Sequence, residues 1–104
     1  MDIAISINEI PVRLTDERWH HITVGHPEMA DYYYEILETI ENPLTIYVGN
    51  SGELIALSDQ QPDTNKHIIV VYRENTDEND GFVITAFISN KLNYLNKQEV
   101  VWKR

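Results

Sequence analysis

The chain contains no cysteine, so neither a disulfide nor a thiolate metal site is available to it. It has no apolar run long enough to span a bilayer. Its opening Met-Asp-Ile-Ala lacks the basic region and cleavage site of a signal peptide. A cytoplasmic protein without membrane attachment is the default expectation. Basic residues are scarce: eight Lys and Arg face seventeen Asp and Glu, a net charge of −9. That deficit argues against a general nucleic-acid binder, because phosphate contacts need cations and counterion release rewards them. The 104 residues make one domain, 1–104, with room for a single modest core. No internal repeat, linker or low-complexity tract divides it.

The charge is unevenly spread. Residues 1–80 hold Arg13, Arg18, Lys66 and Arg73 against sixteen acidic side chains, locally −12. Residues 81–104 hold Lys91, Lys97, Lys103 and Arg104 against Glu99 alone, locally +3. The pattern is a basic strip on an acidic body.

Histidine is concentrated where most of the chain is ordinary. Three of the four histidines lie in Arg18 to Glu28, Arg-Trp-His-His-Ile-Thr-Val-Gly-His-Pro-Glu. Before it, Thr15 suits a helix cap, and Asp16 and Glu17 set negative charge at the positive end of the helix dipole. A first helix is expected from about Asp16 to Val24. Gly25 suits a left-handed residue ending it, and Pro27 is tolerated in the first turn of a second helix running to about Glu41. His26 then occupies a sharp corner between rigid segments. Trp19 and Ile22 mark the inward face of the first helix, whereas His20 and His21 fall on its flank and outer side, where ordinary solvated roles also suit them. Met29, Tyr33, Ile36 and Ile40, widened by Tyr32 and Leu37, form a stripe that reads as core. Asp31, Glu35, Glu38 and Glu41 cover the other side, and Asn42-Pro43 stops the helix.

Around these helices the pattern is that of strands. Ile3, Ile5 and Ile7, then Ile10, Val12 and Leu14, alternate with other residues across Asn8-Glu9, predicting an N-terminal hairpin or arm over 1–14 with Pro11 on an edge. Leu44 to Val48 and Glu53 to Ser58 flank the turn-forming Gly49-Asn50-Ser51-Gly52. His67 to Arg73 is a continuous apolar run, as in a central strand covered on both sides. After the acidic loop Glu74 to Gly81, whose Asp80-Gly81 is a hairpin signal, Phe82 to Ile88 is a strand. Phe82, Ile84, Ala86 and Ile88 are expected on one of its faces and Val83, Thr85 and Phe87 on the other. A helical turn within Asn90 to Asn96 and a last strand at Val100 to Trp102 complete the chain. Short connections favour sequential pairing. The expected fold is α+β, with two N-terminal helices packed on one face of a four- to five-stranded antiparallel sheet.

A fixed imidazole is a natural general acid or base near neutrality. Metal-independent RNA cleavage needs a group to take the 2'-hydroxyl proton, one to protonate the departing 5'-oxygen, and a cation for the phosphorane. His21 and His26 are candidates for the proton transfers, in either order, Arg73 and Lys91 for the cation, and Thr85 as a donor to a phosphate oxygen. The five-residue separation of His21 and His26, with Glu28 close by, misses the His-Glu-x-x-His pattern of a zinc helix, so no metal or cofactor is expected.

Glu17-Arg18-Trp19-x-His21-Ile22-x-x-x-His26-Pro27-Glu28-Met29, Ile40-x-Asn42-Pro43, Gly52-Glu53-Leu54-Ile55-Ala56, Val70-Val71-Tyr72-Arg73 and Gly81-Phe82-Val83-Ile84-Thr85-Ala86-Phe87 form an ordered set of blocks. Together they resemble the small bacterial and phage-borne proteins of the barnase, EndoU, colicin and RelE-like (BECR) nuclease superfamily, over about residues 14 to 103. The resemblance implies N-terminal helices on a four-stranded antiparallel sheet. It also implies a metal-independent ribonuclease of toxin or phage-conflict type, acting on RNA, with site positions at His21, His26, Arg73 and Thr85; a cognate antitoxin or another basic protein is a candidate partner. The strong acidity is unlike the basic surface of most RelE-type toxins. The competing expectation is therefore a catalytically silent binding module whose carboxylates (Asp31, Glu35, Glu38, and Glu74, Asp77, Glu78, Asp80) engage a basic partner protein.

Overall fold

A computed structural model describes residues 1–104. Strands β1 (Asp2–Ile5), β2 (Pro11–Leu14), β3 (Thr45–Val48), β4 (Leu54–Gln60), β5 (His67–Asn75), β6 (Asp80–Ser89) and β7 (Glu99–Lys103) form one sheet in the order β1-β2-β6-β5-β4-β3-β7. Helices α1 (Asp16–Gly25) and α2 (Tyr33–Glu41), separated by a 3-10 turn at Pro27–Asp31, connect β2 to β3. No helix is long and apolar enough to cross a membrane.

The expected four- to five-stranded antiparallel sheet is thus corrected to a seven-stranded mixed one. The N-terminal hairpin adds two strands to the sheet, and β2 pairs with β6 in parallel through Val12 with Gly81 and Arg13 with Phe82. Two local features make that junction. The Arg13 guanidinium grips Asp80 with two hydrogen bonds of 2.9 Å, the paired geometry that guanidinium and carboxylate favour. Gly81 supplies the space: a Cβ there would lie 2.8 Å from the Arg73 carbonyl oxygen and 3.2 Å from Val12. Asp80-Gly81 therefore starts a strand, and the chain turns earlier, through a 3-10 turn at Thr76–Glu78 and left-handed Asn79. Pro11 lies in an interior strand rather than an edge one. It is tolerated because it is the first strand residue, ahead of the pairs with β6.

Strands β3 to β6 form the expected antiparallel meander, and β5 is the middle strand of the whole sheet. The last strand breaks sequential order. After β6 the chain passes a 3-10 turn, Asn93–Lys97, and returns to pair β7 with β3. Leu95 of that turn is buried against Leu57 and Ile69, so this connection roofs part of the face away from the helices.

The main core lies between the helices and the other face. Ile22, Met29, Ile36, Leu37 and Ile40 pack on Ala4, Val12, Leu14, Ile46, Ala56, Ile68, Val70, Tyr72, Val83 and Ala86. In β1 the inward residue is Ala4, while Ile3 and Ile5 are about half exposed, the reverse of the expected facing. The small Ala4 faces the core that α2 shares, and α2 packs on β1. In β6 a register shift opposite Val71 and Tyr72 puts Val83 with Ala86 in this core, so the strict alternation expected there is interrupted.

Thr15 caps α1 as expected, its Oγ1 accepting from the Arg18 amide at 3.1 Å. Gly25 is not left-handed: the helix runs through it and ends at His26, whose backbone (φ −136°, ψ 77°) breaks the helical path while its amide donates to the Ile22 carbonyl at 2.7 Å. The second helix is likewise interrupted. Pro27–Asp31 is 3-10, and α2 begins only after Tyr32.

Candidate functional site

Alternation along β5 and β6 sends every second side chain to the face away from the helices. Thr85 pairs with Val71, Val71 with Ile55 and Ile55 with Tyr47, a transverse row on that face. Phe87 pairs with Ile69 one step along, and Arg73 with Phe82 on the other side of the row. Thr85 and Arg73 therefore share this open face. The Thr85 side chain makes no hydrogen bond, and its hydroxyl is free for a ligand.

His26 reaches the same face from a different element. The β6 segment after Phe82 has no strand on its outer side, and α1 packs there instead. At the end of α1 the backbone turn at His26 carries the imidazole around this border, where it lies tilted on Phe87 with ring centroids 5.6 Å apart. Phe87 in turn neighbours Tyr94, at 6.5 Å. The half-buried Tyr94 hydroxyl has its ionisation pushed up by burial and by the nearby Tyr47. A band of rings thus borders the Thr85 row, and Tyr94 remains 44 % exposed, available for contact.

The Arg73 guanidinium is held by the hairpin between β3 and β4. Its Nη2 donates to the Ser51 carbonyl at 3.1 Å and lies 3.9 Å from the Glu53 carboxylate. Glu53 offsets part of its charge, and both groups retain exposed surface. The arrangement can orient one phosphate without presenting a strongly positive field.

His26, Arg73 and Thr85, far apart in sequence, are thus brought to one side of the sheet. His21 and Lys91 are not tied to them. His21 is exposed on α1 with no hydrogen bond or ion pair, and Lys91 lies in the turn beyond β6, where its backbone amide donates to Ser89. None of the five lines either of the two cavities in the molecule. No group of three metal-ligating side chains stands together. His67 has a structural contact, its Nδ1 lying 2.8 Å from the Ser58 carbonyl.

Sequence reasoning missed Phe87, Tyr94 and the Glu53 support of Arg73. Phe87 was legible, two residues from Thr85 on a strand. Tyr94 was not, because it reaches the face through the return of the chain to β7.

Of the acidic groups, Glu74 accepts from the Ser6 hydroxyl and from Asn8 Nδ2, and Asp80 is committed to Arg13. Asp77 and Glu78 are exposed without ion pairs, as are Asp31 and Glu38 of the helical region. No protein-family model matches the sequence, and neither a curated protein nor a solved structure matches it.

Proposed function

We propose that the open face of the sheet binds an RNA backbone and cleaves it without a metal. The observation that carries this reading is the presence of His26, Arg73 and Thr85 on one face, delivered by three separate elements. In the reaction one imidazole removes the ribose 2'-hydroxyl proton, and the 2'-oxygen attacks phosphorus. The bond to the 5'-oxygen then breaks as a second group protonates it, leaving a cyclic 2',3'-phosphate and a free 5'-hydroxyl. His26 takes one of these transfers, and water, which reaches the open face freely, serves for the other, because His21 stands apart on α1. Arg73 and the Thr85 hydroxyl hold the phosphate oxygens as charge builds on them. The rings of Phe87 and Tyr94 offer stacking surface to a base, which suits single-stranded RNA and tolerates a weak positive field.

Purified protein incubated with a panel of RNAs and tRNAs in EDTA should produce cyclic-phosphate ends. His26→Ala should slow cutting about a hundredfold or more while the thermal transition stays in place. A wild-type protein that leaves the whole panel intact sinks the reading.

A second reading has its own observation. Only Asp16, Glu53, Asp59 and Asp80 of the acidic side chains take part in ion pairs, so the body keeps a large unpaired negative charge. Asp31, Glu38, Asp77 and Glu78 would then steer a basic partner protein of antitoxin or inhibitor type onto the surface. Reversing these four charges should weaken retention of an oligolysine peptide at physiological salt; unchanged retention removes this support.

A further inference from the structure

On the helix side, away from the proposed site, a cleft of about 280 Å³ opens beside the N-terminal turn. Its walls are apolar, with Ile46, Val48, Leu54 and Trp102 lining it, and its polar groups are Asn8 and Glu74. Glu74 comes from the end of β5, and Asn8 from the turn between β1 and β2. Glu74 makes no ion pair. One carboxylate oxygen accepts from the Ser6 hydroxyl and the other from Asn8 Nδ2 at 2.9 Å. A carboxylate has about four acceptor sites, so each oxygen keeps one unused. The nearby Tyr72 hydroxyl is buried with no hydrogen-bond partner, and its ionisation is pushed up by burial and by the Glu74 charge. A half-buried carboxylate satisfied only by neutral donors, in an apolar cleft, is an uncompensated charge that a cation would relieve.

We infer that this cleft binds a small amphiphilic primary amine, its ammonium donating to the free acceptor sites of Glu74 and its alkyl chain lying along Ile46, Val48, Leu54 and Trp102. The size sets the class: the volume falls just below the usual range for small-molecule pockets, roughly 300–1,000 Å³, and suits a short chain rather than a polycyclic ligand. The sign follows from Glu74, which favours an ammonium and repels a carboxylate of the same length. The direct ion pair also distinguishes an amine from the matching alcohol.

The test is a titration of the full chain with hexylamine, hexanol and hexanoate, followed by amide and indole NMR shifts. Hexylamine should move the resonances of Asn8, Glu74, Val101 and the Trp102 indole, and should bind at least tenfold more tightly than hexanol, with hexanoate inert. Glu74→Gln should remove the preference for the amine over the alcohol. Because Glu74 also ties down Ser6 and Asn8, a second variant guards the result: Val101→Arg, at a half-exposed position lining the cleft, should weaken hexylamine binding by crowding its mouth. Equal binding of amine and alcohol to the wild type overturns the inference. So do shifts confined to other surfaces, and so does the absence of any shift with hexylamine. RNA cleavage plays no part in the readout, so the outcome is independent of the open face.

Discussion

The two faces of the sheet are built from the same strands and differ in what covers them. The helix side is sealed over its centre, where five residues from the helical segment cover ten from the strands and every member of that cluster is buried; it opens at the cleft beside the N-terminal turn. Of its apolar side chains the other side buries a cluster of only three, Leu57, Ile69 and Leu95, with one short turn as a roof. Beyond that roof stand half-buried Val71 and Thr85, the guanidinium of Arg73 and the ring of Phe82. One face thus supplies stability, and the other keeps polar groups and rings within reach of solvent. Labour is divided between them: a residue on the open face is free to change because the core does not depend on it.

The two faces should differ most at Ile68, wholly buried on the helix side of the central strand. Ile68→Ala should cost about 2–5 kcal/mol by denaturant unfolding, from lost transfer energy and a cavity that close packing cannot fill. Leu95→Ala on the other side should cost less, about 2 kcal/mol, because its cluster is small and a surface turn can collapse onto the space. If the two losses were equal, the faces would share the core rather than divide it. Thr85→Val removes an unbonded hydroxyl and keeps the shape, so stability should change by no more than about 0.5 kcal/mol. RNA cleavage should nevertheless fall, which separates a ligand role from a packing role.

The smallest effect belongs to the junction of β2 with β6, and it depends on pH. The hydrogen-bonded Arg13 guanidinium holds the Asp80 carboxyl below the usual carboxylate range, while Asp80 raises Arg13. A depressed carboxylate contributes stability above its unfolded pKa, about 3.9, and loses it as pH falls through the lower folded value. Asp80→Asn should therefore melt slightly below wild type at pH 7, and the two curves should converge near pH 2. A difference that persists in acid would show that the pair acts through packing instead. At the other extreme, burial and the hydrogen bond to Asp2 push the Tyr33 hydroxyl up to about 12. This contribution is present below the unfolded tyrosine pKa and fades as pH rises from about 10 to about 12.

Much of the local structure was legible. Thr15 with Asp16 and Glu17 announced α1, the Gly49 to Gly52 turn announced its hairpin, and the run from His67 onward announced a central strand. The stripe of Met29, Ile36 and Ile40 is the buried stripe of the second helical segment. The errors share a cause. Period-two alternation says that Ala4 and its isoleucine neighbours face opposite ways, but not which way is inward. A one-residue register shift in β6 then reverses half of a correctly found strand. In the site, the common facing of Thr85 and Phe87 could be read from spacing, whereas the stacking of His26 on Phe87 depended on α1 occupying the border that β2 leaves unpaired.

Local chemistry therefore determined the element types, the cap, the turns and the excess of negative charge, since each depends on residues only a few positions apart. Tertiary structure alone decided that β2 would join β6 in parallel, that the last strand would return to β3, and that His26, Arg73 and Thr85 would share a face. Those outcomes rest on contacts between segments tens of residues apart, such as Arg13 with Asp80 and Leu95 with Ile69. They form only when the whole chain finds one arrangement that buries its apolar surface and satisfies its backbone together.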